Sequence, residues 1–373
     1  MKIGSIYSAS DKALFDALNQ GVVTSTDMRQ LFLTHGIIIS RSTSRRDLAA
    51  HFSRLVHDYD DFQALAKLFD TGQRRERLTS FRVNSSAQLE NFETAAHAIV
   101  QNLKGDTDTA VSVSANEDGV LKIAVRYKIF HFNKSEFRQV ETRDAVVTIE
   151  QEGGVVIIRG PQNEKVDEIC RSLLSTVKTE VEGDFDVSEI SLESFLNPEQ
   201  RTGFFIELIG LVHGYKKHDV SDVYVYKPKE KSKSDQDDGD DGVVEDEDEN
   251  IDLGIHISRA SLKGEGVLES QEMKALITRG FYISKIIWQA KTNEIDSDIY
   301  EFEAQFSEPE TCTRFSYLVK GHHKYQGNKI HSKTRTQLTP DEDIELSKAI
   351  EAAARISLKK LEDATKEVKN DEN

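Results

Sequence analysis

The sequence predicts an α+β multidomain chain, with a small N-terminal helical bundle followed by antiparallel-sheet α/β layers and a long C-terminal helix. Three observations predict it. The first 80 or so residues carry short apolar stripes at helical spacing behind legible caps. Leu121 to Ile129 alternates with period two, and Thr339-Pro340-Asp341 opens a run with one narrow apolar stripe.

At 373 residues, with 38% hydrophobic and 30% charged side chains, the chain is long enough for two or three units. The expected division is a helical module over 1–82, an α+β domain over 83–226, and a disordered acidic linker or insertion over 227–250. A second α+β unit, or the completion of the middle domain, follows over 251–335, and 336–373 forms an amphipathic helix and tail.

In the first module Lys12 to Asn19 reads as a helix. Thr24 with Asp27 caps a second one bearing Met28, Leu31 and Phe32, which His35 and Gly36 end. After Ile37-Ile38-Ile39, Ser44 with Asp47 repeats the cap before Leu48, Phe52 and Leu55 or Val56. Asp58 with Asp61 repeats it again before Phe62, Leu65, Ala66 and Phe69, with Gly72 past the end.

The middle domain opens with a helix behind Ser85 or Ser86. Strands follow at about 110–114, 120–132, 141–151 and 155–159, the last two joined by a Gly153-Gly154 hairpin. Leu121, Ile123, Val125, Tyr127 and Ile129 share one face, and Lys122, Arg126 and Lys128 the other. Helices over about 163–178 and from Pro198 cover the sheet, the second burying Phe204, Phe205, Leu208, Ile209 and Val212.

Ten acidic residues between Asp235 and Glu249, with little that packs, make that segment an expected disordered loop between strands at 220–226 and 251–257. Ser270 caps a short helix ended by Gly280. Strands at 281–290, 298–306 and 313–319 then precede the terminal helix, whose stripe is Leu346, Ile350, Ala353, Leu361, Ala364 and Val368.

Cys170 and Cys312 are too few and too far apart for a disulfide framework or a cysteine metal knuckle, so buried inert thiols are expected. The start lacks a signal-peptide run, and no stretch approaches the roughly 18 apolar residues of a membrane span. The expected setting is cytoplasmic, away from membranes.

The net charge of −17 repels polyanions on average, yet residues 1–82 hold 12 Lys and Arg against 9 Asp and Glu, a net of +3, leaving −20 elsewhere. Nucleic acid, if bound, is expected at this end. The run MRQLFLTHGIIIS followed by SRRDLAAHFSRL resembles the helix-extension-helix pattern of SAP-like DNA-binding modules over about 24–57, with RSTSR longer than the usual turn. The resemblance implies phosphate contacts at Ser40, Arg41, Ser44, Arg45 and Arg46, and core positions at Leu31, Phe32, Ile38, Leu48 and Phe52. Free amides at a helix start, guanidinium groups and the Ser42, Thr43 and Ser44 hydroxyls form an anion site that reads no bases. Arg74, Arg75 and Arg77 extend the basic strip, with Arg82 beyond them.

Catalytic signatures are missing: the chain has no GxSxG, HExxH or GxxxxGK[ST], and no metal or cofactor is expected. His213, His218, His322 and His323 are read as ordinary polar histidines. A divalent-metal nuclease would need carboxylates such as Glu141, Asp144 and Glu150 near Lys128, or Asp298, Glu301 and Glu303 near Lys320. The expected function is a noncatalytic adaptor that holds double-stranded DNA backbone with its N-terminal module and a protein partner, or a second copy, with its α/β body. The alternative is a purely protein-interacting scaffold or assembly subunit, and a metal-dependent nuclease ranks below both.

Overall fold

The computed structural model describes residues 10–69, 75–115, 119–134, 137, 139–228 and 258–371, the last four by backbone alone. They divide into two units, one built from 1–76, 87–151 and 164–182, the other from 77–86, 152–163 and 183–373.

The first unit begins with α1 (Asp11–Leu18), α2 (Ser25–Thr34), α3 (Arg45–Phe52) and α4 (Tyr59–Phe69). Thr24 and Asp27 form a reciprocal capping box on α2, and the Ser44 hydroxyl accepts the Asp47 N–H at the start of α3. At α4 the Asp58 N–H donates to Asp61 Oδ2 at 3.2 Å and the Asp61 N–H returns to Asp58 Oδ1 at 3.0 Å. Each cap satisfies amides that the first helical turn leaves without partners. The helices enclose Leu18, Met28, Phe32, Leu48, Phe52 and Leu65. Phe32 meets Phe52 edge-on at 5.1 Å, and Phe137 stacks on Phe62 at 4.8 Å.

Of the core positions implied for the helix-extension-helix segment, Leu31, Phe32, Leu48 and Phe52 are buried, but Ile38 is 89% exposed. The cause is local. Gly36, at φ 72°, closes α2 with its N–H on the Leu33 carbonyl while the Ile37 N–H reaches the Phe32 carbonyl, each at 2.9 Å. Ile37 and Ile39 then pack on the helices, and alternation along the connection turns Ile38 outward.

The stretch 1–82 is not wholly helical. Its end begins β1 (Leu78–Ser85), which lies in the second unit. The first unit continues with α5 (Leu89–Leu103), β2 (Thr109–Ala115), β3 (Leu121–Phe130), β4 (Val140–Glu152) and α6 (Glu164–Glu180). Strands β2, β3 and β4 pair antiparallel, with Val125 opposite Val111 and Ala145. Leu121, Ile123, Val125 and Tyr127 are buried as the alternation predicts, whereas Arg126 and Lys128 are exposed. α5 packs on β2 and β3 and against α6. The α6 residues Val166, Ile169, Cys170, Leu173 and Val177 are its buried stripe.

The second unit is an antiparallel sheet on which α-helices that contact each other pack against β-strands near its centre. Gly153 and Gly154, at φ 58° and 85°, turn the chain from β4 into β5 (Val155–Pro161), the backbone such a tight hairpin requires. Then come β6 (Phe185–Ser188), α7 (Pro198–Leu211), β7 (Lys216–Tyr226), β8 (Arg259–Lys263), α8 (Gln271–Thr278), β9 (Tyr282–Lys291), β10 (Ile299–Glu308), β11 (Thr313–His323) and α9 (Pro340–Asp371). Strand order is β5-β1-β11-β10-β9-β7-β8, with β6 also paired to β1. α7 and β7, which the sequence groups with 83–226, therefore belong with the C-terminal strands, β7 bonding to β9. The expected strand at 251–257 and nearly all of the acidic segment lie outside the described residues.

The core here is aromatic: Phe204, Phe205, Trp288, Phe302, Phe315 and Tyr317 lie with Leu346, Ile350, Ala353 and Ala354 of α9. Ala364, expected on the buried stripe, is exposed. α9 also buries polar groups. Ser357 Oγ donates to the Phe204 carbonyl at 2.8 Å, and Glu351, 2% exposed, lies between Arg159 and Arg355.

Candidate functional site

The start of α3 is held from three sides. Arg29 on α2 donates through Nη2 to the Arg41 carbonyl at 2.9 Å and through Nη1 to the Ser25 carbonyl at 3.1 Å, fixing the connection that carries Ser40 to Ser44. The Ser40 and Ser42 hydroxyls share a hydrogen bond at 2.8 Å. Ser44 accepts the Asp47 amide and donates to Asp47 Oδ2 at 2.7 Å, so one expected phosphate contact is a cap and a carboxylate stands in the first turn.

The arginines part company. Arg45 is half-buried, and its Nη2 donates to the carbonyls of Leu18, at 2.9 Å, and Gln20. Those carbonyls close the end of α1, so Arg45 acts as a clamp between α1 and α3. Arg41 and Arg46 are exposed, and neither side chain is engaged by another described residue.

The second basic run does not form a free strip. Arg74 lies outside the described residues. Arg75 is half-buried and engaged within the fold. Arg77 belongs to the other unit, where both Nε and Nη2 reach Glu303 Oε1 at 2.6 Å.

Four of the six carboxylates named for a nuclease, Glu141, Asp144, Glu301 and Glu303, are paired with cations. Burial alone would raise the Glu303 pKa, yet Lys285 at 2.9 Å and Arg77 hold it below the usual carboxylate range. Glu301 lies 2.9 Å from Lys320 and 2.7 Å from Arg335. Glu141 is partly buried, which opposes ionisation, but Arg143, His131 and Lys134 bring its pKa down to about 2. Arg126 binds Asp144 through two nitrogens at 2.6 and 3.1 Å, and Lys128 pairs with Asp108 at 3.1 Å.

Among the described residues one group of three ligand atoms does converge: His35, His57 and Asp61, all within 4.8 Å of one another. His35 is the C-cap of α2, His57 precedes α4, and Asp61 is the third residue of α4. Asp61 Oδ1 lies 3.0 Å from His35 Nε2 and Oδ2 lies 3.4 Å from His57 Nδ1. Phe52 positions both rings, at 5.6 Å from His35 and 4.7 Å from His57. His57 Nε2 is 2.8 Å from the Phe52 carbonyl, which only accepts, so that nitrogen carries the proton. His57 also lines a pocket of about 350 Å³ with Asp11, Leu14, Arg54 and Phe62.

The cluster carries little sequence signal, since His35 and His57 stand 22 positions apart; its one local sign is the four-residue spacing of His57 and Asp61. The four histidines singled out in the sequence have separate surroundings. His322 faces Asp298 at 3.6 Å, His323 Nδ1 reaches the Ser332 carbonyl at 2.8 Å, and His213 and His218 are exposed.

No protein-family model matches the chain, and no curated protein matches it in sequence. No helix among the described residues is long and apolar enough to cross a membrane.

Proposed function

We propose that the chain is a noncatalytic adaptor whose N-terminal helices form a SAP-like module that holds duplex DNA by its phosphates. One observation carries this reading. Arg41 before α3 and Arg46 in its first turn stand exposed, unengaged by other described side chains, in the same stretch as the Ser40 and Ser42 hydroxyls. Guanidinium and hydroxyl donors at a helix start suit phosphate oxygens and carry no base preference. Arg45 enters as the clamp beneath the site, and Arg77 drops out of it. The α/β body then engages a protein partner or a second copy, in a cytoplasmic setting that suits two unpaired cysteines.

A scaffold reading has its own support in exposed apolar side chains on the same module, Ile38 at 89% and Val56 at 93%. Fluorescence anisotropy of a labelled duplex with the full chain separates the two. DNA binding predicts saturation at low salt, weakened but still measurable in the Arg41→Ala/Arg46→Ala double variant and kept in Ile38→Ser. A scaffold predicts no saturable duplex binding by either.

A further inference from the structure

We propose that His35, His57 and Asp61 form a binding site for a divalent transition-metal ion of the zinc class, with a coordination position left over for water or an outside ligand. The proposal is independent of DNA binding and uses none of the same side chains.

The donor chemistry comes first. Two imidazole nitrogens and one carboxylate suit zinc, cobalt or iron(II), whereas magnesium and calcium favour all-oxygen shells. One ligand atom from each residue lies within 4.8 Å of the other two. Bonds of about 2.0 Å in tetrahedral geometry put neighbouring ligand atoms about 3.3 Å apart, so a bound ion would draw the three slightly closer. Asp61 Oδ1 lies 3.0 Å from His35 Nε2 and Oδ2 3.4 Å from His57 Nδ1, which leaves that adjustment small.

A simple ion-paired triad fits less well. His35 Nε2 and His57 Nδ1 are both buried, yet neither makes a directed hydrogen bond, although Asp61 is within ion-pair distance of each. A carboxylate facing two ring nitrogens without a hydrogen bond to either leaves lone pairs open to a shared ion. Buried polar atoms without partners are uncommon, and two facing one carboxylate point to a common ligand.

The outer contacts are also those of a ligating set. His57 donates its other nitrogen to the Phe52 carbonyl, which leaves Nδ1 as the lone-pair side facing Asp61. Asp61 Oδ2 accepts the Asp58 amide at 3.2 Å, fixing the carboxylate. Outer partners of this kind orient ligands and set affinity. His35 is held by the backbone closure at Gly36. The ion would tie the end of α2 to the start of α4.

The test uses the full chain, free of any purification tag and stripped with chelator. Zinc is titrated calorimetrically and cobalt(II) serves as an optical probe of tetrahedral nitrogen and oxygen ligation. One equivalent should bind, with a rise in the melting temperature. Asp61→Asn, which keeps an oxygen for the Asp58 amide, and His57→Gln should each weaken binding by about tenfold or more and abolish the thermal shift. Circular dichroism of the metal-free variants checks folding, and Asp61→Asn decides the matter if His57→Gln unfolds. Arg41→Ala/Arg46→Ala should bind zinc as the parent does. Absence of stoichiometric binding, equal binding by Asp61→Asn, or displacement by equimolar magnesium would each overturn the proposal.

Discussion

Arg45 on α3 donates through Nη2 to the carbonyl oxygen of Leu18, 2.9 Å away at the end of α1, and through the same nitrogen to Gln20. The side chain most central to the basic motif in the sequence is thus a structural clamp. Replacing Arg45 with Met should keep the aliphatic packing but strip two carbonyls of their donor, at a cost of about 1–3 kcal/mol. Hydrogen exchange should show faster exchange in α1 and α3 with α9 unchanged. Exchange equal to the parent would mean that water replaces the guanidinium without loss.

Glu351 should be the most costly single charge to remove from the second unit. It is 2% exposed, with Arg159 Nε at 2.5 Å and Arg355 Nε at 3.0 Å. Glu351→Ala leaves two guanidinium groups without their shared partner, and breaking a buried pair costs about 3–5 kcal/mol. Glu351→Ala combined with Arg159→Met should recover part of the loss. Urea unfolding followed by Trp288, which is fully buried in that unit, reads both.

Acid should weaken both units through carboxylates whose folded pKa values are depressed. Burial opposes ionisation of Glu351, but Arg159 and Arg355 outweigh it; Glu141 falls to about 2 through Arg143 and His131. A depressed folded pKa adds stability that is fully present above the unfolded value, about 4.3, and is lost as pH falls through the folded one. The melting temperature should therefore hold steady down to about pH 5 and decline below it. Arg143→Ala should flatten the part of that decline that comes from the first unit.

Burial pushes the Cys170 thiol up to about 12 and the Cys312 thiol up to about 11. Neither forms appreciable thiolate near neutrality, so thiol reagents should label the native chain very slowly. Mass spectrometry should find two modified cysteines only after denaturant. Rapid native labelling would mean that these cores open readily.

Gly36 has a positive φ of 72° with no atom within 4 Å of where a Cβ would sit, so Gly36→Ala meets backbone strain and no steric clash. The expected cost is about 1–2 kcal/mol. His35 directly precedes it, so the substitution should weaken zinc binding more than its stability cost suggests. A variant with parental zinc affinity would separate the helix end from the metal site.

Local signals in the sequence located most elements. The caps at Thr24, Ser44 and Asp58 each stand where a side chain satisfies its own helix, and the alternation from Leu121 to Tyr127 follows from burial on one sheet face. What escaped was nonlocal. β1 reads LTSFRVNS, polar enough to resemble a linker, and becomes a strand because β5 and β11 pair with it. Arg45 was legible as a charge but not as a clamp, since its partners lie 25 and 27 positions away. His35, His57 and Asp61 acquire a meaning only when α2 and α4 meet.

Salt dependence tests the central claim most directly, because each phosphate contact contributes a slope of about −0.9 to log K against log salt on a duplex. Titrating one labelled duplex with the full chain across a salt series should give a linear fall that becomes shallower by about two in Arg41→Ala/Arg46→Ala. Equal slopes for the parent and that variant, or no saturable binding at the lowest salt, would contradict the account.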